Sequence, residues 1–222
     1  MVKGLNMVID LSKNNSLVNQ FVSEIRDTTI QNDRLRFRRN IERIGEIAAY
    51  EISKKLEYSN KIVKTPLGEI NIPVLKEQPV LGTILRAGLP LHNGILNYFD
   101  QADNAFISAY RHHHEDGSFE IKLEYMASAS IENKILIIAD PMLATGLSMA
   151  QTLHEIYKIG KPKHTHIVSV IASEAGIDKV RNSLDNFTLW AAAIDKELNA
   201  MAYIVPGLGD AGDLAFGEKM QR

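Results

Sequence analysis

The stretch Lys134-Ile-Leu-Ile-Ile-Ala-Asp-Pro-Met-Leu-Ala-Thr-Gly-Leu-Ser148 decides the fold. Residues 135–139 are uniformly apolar, and a short apolar run of this kind is typical of a strand buried on both faces. From Leu147 the pattern becomes helical and continues to Lys158, so the intervening residues form a loop between a strand and a helix. Ligands of open α/β sheets bind beyond the carboxyl ends of the strands, and this loop is therefore the first candidate for a site.

Strand and helix patterns alternate on both sides of this loop. The predicted strands are 79–85, 104–110, 120–125, 134–139, 166–172 and 188–193, and the predicted helices are 89–99, 147–158 and 174–182. This alternation predicts an α/β fold with a mostly parallel sheet flanked by helices. The polar residues 111–118 lie between two predicted strands and are expected to form the tip of a β-hairpin arm.

The two ends of the chain differ from this central part. Residues 1–60 are expected to form a helical N-terminal segment, with apolar residues at helical spacing in 17–25 and 37–52 and a break at 28–33. Pro66-Leu-Gly68 is expected to be a turn between two short strands. Residues 194–222 are glycine-rich and irregular, and we expect a hood above the sheet. We treat 1–222 as a single domain.

Composition excludes several classes of function. The 222 residues carry a net charge of −2, which disfavours a nucleic-acid partner, and they contain no cysteine for disulfides, thiolate catalysis or zinc–thiolate sites. No apolar run approaches the roughly 18 residues of a membrane span, and the first ten residues lack the apolar block of a signal peptide. We therefore expect a cytoplasmic protein with no membrane partner.

The loop after the apolar strand has the chemistry of a ribose-phosphate site. The Asp140 carboxylate can accept hydrogen bonds from vicinal ribose hydroxyls, while Thr145, Ser148 and the following helix N-terminus can receive a phosphate dianion. It is not a P-loop, because the Gly-x-x-x-x-Gly-Lys-[Ser/Thr] pattern is absent.

The same string resembles the phosphoribosyl-pyrophosphate loop of the uracil phosphoribosyltransferase family, including the single acid preceded by Ala139. The resemblance implies the phosphoribosyltransferase fold. It also implies substrate contacts by Asp140, Pro141, Met142, Leu143, Ala144, Thr145, Gly146, Leu147 and Ser148. One residue departs from the family, which usually has a second glycine where this chain has Leu147; the affinity for the 5′-phosphate is the property this puts in question.

The C-terminal segment contains Gly207-x-Gly209-x-x-Gly212, which by itself matches a dinucleotide fingerprint. That fingerprint requires a βαβ unit and an acid about 20 residues further on, for which the sequence after Gly212 is too short. The segment instead resembles the uracil-binding end of the family from Asp195 to Gly217. The resemblance implies uracil contacts by Tyr203, Ile204, Gly209, Asp210 and Ala211, with Asp210 also facing the phosphoribosyl substrate through magnesium and water. Asp213 is expected to cap the helix that follows it.

Two arginines match family positions that bind phosphoribosyl pyrophosphate. Arg86 and Arg111 each follow a predicted strand, and arginines can bind pyrophosphate bidentately and offset the charge on the leaving group. With Asp210 they form the predicted catalytic set. The neighbouring run His112-His-His114 is expected to be a solvated arm and not a metal site, because adjacent strand residues point to opposite faces.

The N-terminal arginines are expected to play a structural part. Arg26, Arg34, Arg36, Arg38, Arg39 and Arg43 are interpreted as a solvated helix face paired with Glu24, Asp27, Asp33, Glu42 and Glu46. An anion or effector surface is the alternative interpretation.

The resemblance implies that N1 of uracil attacks C1′ of the sugar, giving UMP and pyrophosphate. It also implies Mg²⁺ bound mainly through the pyrophosphate, a homodimer or larger homo-oligomer, and GTP as an effector. Three alternatives are weighed against this reaction. A non-catalytic sensor of phosphoribosyl pyrophosphate would normally add a nucleic-acid-binding module or a basic face, and none is visible in the sequence. A nicotinamide-dependent oxidoreductase would rest on the dinucleotide fingerprint rejected above, and the C-terminal segment disfavours the same transfer to another base.

Overall fold

The computed structural model describes residues 6–113 and 119–219. Its strands are β1 (Met7–Asp10), β2 (Tyr58–Thr65), β3 (Gly68–Leu75), β4 (Val80–Leu85), β5 (Asp103–His113), β6 (Phe119–Ser128), β7 (Ile135–Ala139), β8 (Met142–Leu143), β9 (His164–Ser173), β10 (Phe187–Asp195), β11 (Glu197–Leu198) and β12 (Ile204–Val205). Its helices are α1 (Leu17–Arg26), α2 (Arg34–Ser53), α3 (Leu89–Leu96), α4 (Leu147–Ile156), α5 (Glu174–Ser183) and α6 (Ala211–Phe216), with a 3₁₀ turn at Leu11–Lys13.

The predicted α/β sheet is confirmed. Seven strands run in the order β1-β10-β9-β7-β4-β5-β6, and the short β8 pairs beside β9. Every neighbouring pair is parallel except β5 and β6, which form the predicted antiparallel hairpin arm. β7, which consists of the apolar run 135–139, lies between β4 and β9.

Helices cover both faces of the sheet. The side chains of Ile137 and Ala139 pack with α1, α2 and α3, whereas those of Leu136 and Ile138 pack with α4 and α5. Because successive strand residues point to opposite faces, an uninterrupted apolar run is what a strand between two helical layers needs. Burial of both faces is thus the physical reason for the sequence pattern of 135–139.

The segment predicted to be helical over 1–60 contains α1 and α2, but it differs from the prediction at both ends, since residues 58–60 already belong to β2. Ser16 and Asp33 cap α1 and α2 through their side chains, which places the predicted break between the two helices. Residues Met7–Asp10, however, form β1, a parallel edge strand paired with β10. Four residues are too short for a clear alternation, and this strand forms because the edge of β10 offers unpaired backbone groups.

Two hairpins extend from this framework. β2 and β3 pair along their full length around the predicted Pro66-Leu-Gly68 turn. In the second hairpin the backbone of Arg111 pairs with Ile121. Residues 114–118 lie outside the described residues, as do the side chains of 109–124. The predictions for Arg111, His112, His113 and His114 therefore stay predictions.

In the part of the chain that the structure describes, no helix is long and apolar enough to span a bilayer.

Candidate functional site

The site lies where neighbouring parallel strands end. β4 and β7 are paired in register from Val80 to Thr83, so the loops that follow them emerge side by side. Gly88, in the loop after β4, is packed so tightly that an added Cβ would stand 2.9 Å from the carbonyl oxygen of Ala139 and would collide with the hydroxyl of Thr83. The Arg86 loop is therefore held directly against the start of the Asp140 loop.

The predicted phosphate loop forms a small cavity of about 50 Å³. It is lined by Asp140, Met142, Leu143, Ala144, Thr145, Gly146, Ser148 and Met149. Gly146 is the N-cap of α4 and has φ = 73°, a left-handed conformation that favours glycine. An added Cβ at Gly146 would lie 2.6 Å from the carbonyl oxygen of Gly176, so α5 supports the loop from behind.

Two residues of the predicted loop are not part of this cavity lining. Pro141 is buried, and its carbonyl oxygen accepts hydrogen bonds from the amides of Val170 and Ile171, which ties the loop to the sheet. Leu147 is half-buried at the first position of α4. Its side chain is not among those that line this cavity.

Asp140 has an unusual protonation equilibrium. Burial raises the pKa of its carboxyl group from 3.8 to about 7, and the hydrogen bond from the backbone amide of Met142 opposes this rise only in part. Near neutral pH the side chain therefore exists in both forms. Only the carboxylate offers two charged acceptor oxygens, one for each of two ribose hydroxyls.

The hood is joined to the Arg86 loop by an ion pair. Nη2 of Arg86 donates to Oδ1 of Asp213 at 2.9 Å and to the carbonyl oxygen of Gly217 at 2.7 Å. Gly212 lies between the two elements, since an added Cβ there would be 3.8 Å from Cβ of Ala87 and 3.9 Å from Nε of Arg86. The N-terminal end of α6 thus lies over the loop expected to bind pyrophosphate.

The expected cap of α6 was assigned to the wrong acid. Asp210, and not Asp213, is the N-cap, and its Oδ1 accepts a hydrogen bond from the amide of Asp213 at 3.0 Å. The two acids have different tasks because a cap must precede the first helical residue, whereas a residue in the first turn can direct its side chain to another element.

The residues expected to contact uracil lie in the hood at 203–204 and 209–211, and are here called the strip. Ile204 and Ala211 are buried, Tyr203 and Gly209 are exposed, and Gly209 has φ = 94°. Within the described residues, the backbone amides of Gly209 and Ala211 donate no hydrogen bond to another part of the chain. The strip can therefore offer two amides to a ligand, and it does so beside Asp210.

The expected arginine pairing was only partly right. Arg36 pairs with Glu24, and this pair with hydrogen bonds from Gln20 and Asn40 lowers the pKa of Glu24 to about 2. Arg39 pairs with Glu42. Arg26 and Arg38, in contrast, leave the helix face and reach the hood.

The contacts to the hood were missed by sequence reasoning. Arg26 binds Asp195 with two hydrogen bonds of 2.8 Å, and Arg38 donates to the carbonyl oxygen of Ala215 at 2.6 Å. Gln31 donates to the carbonyl oxygen of Leu208. The resemblance from Asp195 onward marked the hood as a unit, but no local pattern could pair Asp195 with an arginine 169 positions away.

Three comparisons place the chain among known proteins. A family model described as uracil phosphoribosyltransferase matches residues 12–218. A uracil phosphoribosyltransferase of Porphyromonas gingivalis is 57% identical over 96% of this chain and 99% of its own length. A solved structure, the AQ2163 protein of Aquifex aeolicus, superposes with a TM-score of 0.85 at 29% identity over 95% of this chain and 98% of its own.

A more distant structure supports the fold alone. A hypoxanthine phosphoribosyltransferase of Staphylococcus aureus superposes with a TM-score of 0.52 at 14% identity, with 83% of each chain covered. The matching sheet, the loop after β7 and the near-complete coverage by the family model agree with one another. The chain belongs to the uracil phosphoribosyltransferase family.

Proposed function

We propose that this chain joins uracil to the ribose of phosphoribosyl pyrophosphate, releasing pyrophosphate and giving UMP. Family membership supports the reaction. The observation that carries the assignment of residues is the meeting of three elements at one edge of the sheet: the Asp140 loop, the Arg86 loop and the hood.

The Asp140 loop binds the ribose 5-phosphate part of the substrate in this proposal. The 5′-phosphate lies against Ala144, Thr145, Gly146 and Ser148, where the N-terminus of α4 and its amides face the cavity. The Asp140 carboxylate holds the two ribose hydroxyls. Binding at both ends orients C1′ and converts binding energy into alignment for the transfer.

The pyrophosphate lies beside the Arg86 loop. Nη2 of Arg86 donates its hydrogen bonds to the hood, and 37% of the side chain is exposed, so its other N–H groups are the proposed donors to a phosphate oxygen. Arg111 is the second proposed cation. Both stabilise the charge that develops on the leaving group.

The acids near the Arg86 loop could supply only a few of the ligands of the Mg²⁺ ion that the family implies. In 6–113 and 119–219, no three acidic or histidine side chains form a group that could hold a metal ion. One oxygen of Asp210 is used by the cap, so its second oxygen is the available ligand, directly or through water. A bound Mg²⁺ would neutralise pyrophosphate charge, and the substrate itself would supply most of its ligands.

Uracil is read by the hood backbone. Its two carbonyl groups accept hydrogen bonds and its N3–H donates one, a pattern that rigid main-chain groups of Ile204, Gly209 and Ala211 can match. Cytosine reverses the donor and acceptor at C4 and N3 and would leave buried polar groups unpaired. Tyr203 borders the strip, and the exposed Gly209 allows a close approach of the base.

The chemistry in this proposal is a substitution at C1′. The bond to pyrophosphate breaks ahead of attack by N1, so the ribose gains oxocarbenium character, the electron pair leaves with pyrophosphate, and N1 loses its proton to water. No side chain is assigned as a general base. The arginines offset the charge of the leaving group, Asp210 would act on that charge only by holding Mg²⁺, and the hood holds N1 in line with C1′.

Three further properties belong to the same proposal. We expect a homodimer or larger homo-oligomer, a cytoplasmic location and activation by GTP, all implied by the family. Light scattering and turnover with and without GTP test the first and third, and cell fractionation tests the second.

The decisive experiment is turnover of uracil with phosphoribosyl pyrophosphate and Mg²⁺, followed by UMP formation, with cytosine, hypoxanthine and orotate in parallel. We expect UMP from uracil and no nucleotide from the other three bases. Product from another base would reject the proposed readout. If folded protein bound phosphoribosyl pyrophosphate but made no product, the non-catalytic sensor would replace the enzyme.

A further inference from the structure

The backbone N–H and carbonyl groups of Gly207 are hydrogen-bonded to the two members of an ion pair, Asp195 and Arg26. Its N–H donates to Oδ2 of Asp195 at 3.0 Å, and its carbonyl oxygen accepts from Nη1 of Arg26 at 2.9 Å. Arg26 and Asp195 bind each other with two hydrogen bonds of 2.8 Å, so the three groups close a ring. Only 21% of the Arg26 side chain and 9% of the Asp195 side chain are exposed, which limits competition from water.

The next residue of the hood is held as well. Nε2 of Gln31 donates to the carbonyl oxygens of Ile25 and Arg26 at the end of α1, and to that of Leu208 at 3.4 Å. Gly207 has φ = 55°, and a Cβ there would collide with the carbonyl oxygen of Ile204. The contacts with α1 and with the end of β10 therefore fix the backbone conformation of residues 207 and 208. We call Arg26, Gln31 and Asp195 the hood clamp.

The hood clamp lies just before the strip proposed to read the base. Gly209 follows Leu208 directly and Ala211 comes two residues later, and their amides donate no hydrogen bond within the described residues. A peptide group that recognises a rigid ring must hold its direction before the ring arrives, since an error of about 1 Å in position can cost about 100-fold in rate. Fixing the preceding two peptides supplies that direction.

We propose that Arg26, Gln31 and Asp195 are positioning residues for uracil, which act through the backbone of 207–211 and touch neither substrate. This inference rests on the proposed function. It predicts a selective effect: the clamp is needed for uracil and for rejection of cytosine. It is not needed for most contacts to phosphoribosyl pyrophosphate, which are proposed for the Asp140 and Arg86 loops. The one contact proposed for the hood is that of Asp210, whose side chain is held separately as the N-cap of α6.

The variants separate positioning from general stability. Arg26→Lys keeps the charge but cannot make the forked contact with Asp195 and also reach Gly207. Gln31→Leu removes the bond to Leu208 with little change in volume. Arg36→Lys is the matched control, because the Arg36–Glu24 pair is also forked, with bonds of 2.9 Å, and joins α1 to α2 without contacting the hood.

The measurements are KM for each substrate, kcat and the melting temperature of the full chain. We expect Arg26→Lys to raise KM for uracil about tenfold or more and to leave KM for phosphoribosyl pyrophosphate within about twofold. Gln31→Leu should act in the same direction by a smaller factor. Arg36→Lys should leave the ratio of the two KM values unchanged, even where its melting temperature falls as far as that of Arg26→Lys.

The outcomes distinguish failure of this inference from failure of the proposed function. If the wild-type chain makes UMP and Arg26→Lys changes both KM values equally or neither, the hood clamp has no special role for the base and this inference is overturned. If the wild-type chain makes no UMP, the proposed function fails and the inference fails with it. A KM effect confined to uracil in both clamp variants and absent in the control supports it, including where Arg26→Ala does not fold.

Discussion

Replacing Asp140 by Asn removes a carboxyl group whose pKa is raised to about 7 by burial. The size of the side chain stays the same. In the unfolded chain the pKa of this carboxyl group is near its ordinary 3.8. The folded state therefore binds a proton more tightly than the unfolded state. The stability that this proton contributes to the folded state is fully present below about pH 4 and is lost as the pH rises through 7.

The size of this effect has an upper limit. The difference between 3.8 and about 7 corresponds to ~4 kcal/mol at ~1.36 kcal/mol for each pH unit. Asp140 is half-buried and borders an open cavity, so solvent screening reduces the cost, and we expect ~1–2 kcal/mol. Above pH 7 the wild-type chain should be less stable than Asp140→Asn by this amount, and the difference should shrink toward pH 4.

The assay is urea unfolding of both proteins at pH 5 and pH 8, with Asp100→Asn as a control at an exposed aspartate outside the site. In parallel, the affinity for phosphoribosyl pyrophosphate should fall strongly in Asp140→Asn at pH 8, because the amide has no charge and replaces one of the two acceptor oxygens by an NH₂ donor. In the wild type the carboxylate fraction drops from about one half at pH 7 to about one tenth at pH 6, so KM should rise about fivefold. Asp140→Asn that is less stable than the wild type at pH 8, or a wild-type KM that does not change below pH 7, would refute the reasoning.

Three further substitutions test the site. Gly146→Ala should destabilise the protein by ~1–2 kcal/mol and weaken substrate binding, because φ = 73° and the carbonyl oxygen of Gly176 both oppose a side chain; Gly68→Ala, with open space around it, is the control in the same urea titration. Asp210→Asn should keep the cap and the melting temperature but lower kcat, whereas Asp210→Ala should also lose ~1 kcal/mol of stability; wild-type turnover in the Asn variant would remove Asp210 from the mechanism. Leu147→Gly should leave KM for phosphoribosyl pyrophosphate within about twofold and cost ~0.5–1 kcal/mol in helix stability, and a large gain in affinity would show that the leucine does crowd the phosphate.

The local patterns of the sequence were sufficient for the central strands of the sheet and for the loop after β7. The apolar run before Asp140 has to be a strand covered on both faces, and the helical spacing after Leu147 has to follow a turn. Both are decided within a few residues, by burial and by backbone geometry. The same holds for the Pro66-Leu-Gly68 turn and for the capped break between α1 and α2.

What local patterns could not decide is which distant groups pair. The Met7–Asp10 strand exists because an edge of β10 is available, and the ion pair of Arg86 with Asp213 exists because α6 lies over the loop after β4. A charged side chain has many possible partners of opposite charge in the sequence. Only the packed molecule selects the one at the right distance and depth.

The sequence by itself therefore determined the α/β fold, the position of the loop proposed to bind phosphate and membership of the family, because each depends on short-range periodicity or on a contiguous motif. The tertiary structure alone decided that Asp210 caps α6, that Asp140 titrates near neutral pH and that Arg26 clamps the hood. These properties depend on burial and on contacts between segments up to 181 positions apart, and both arise only when the chain has folded.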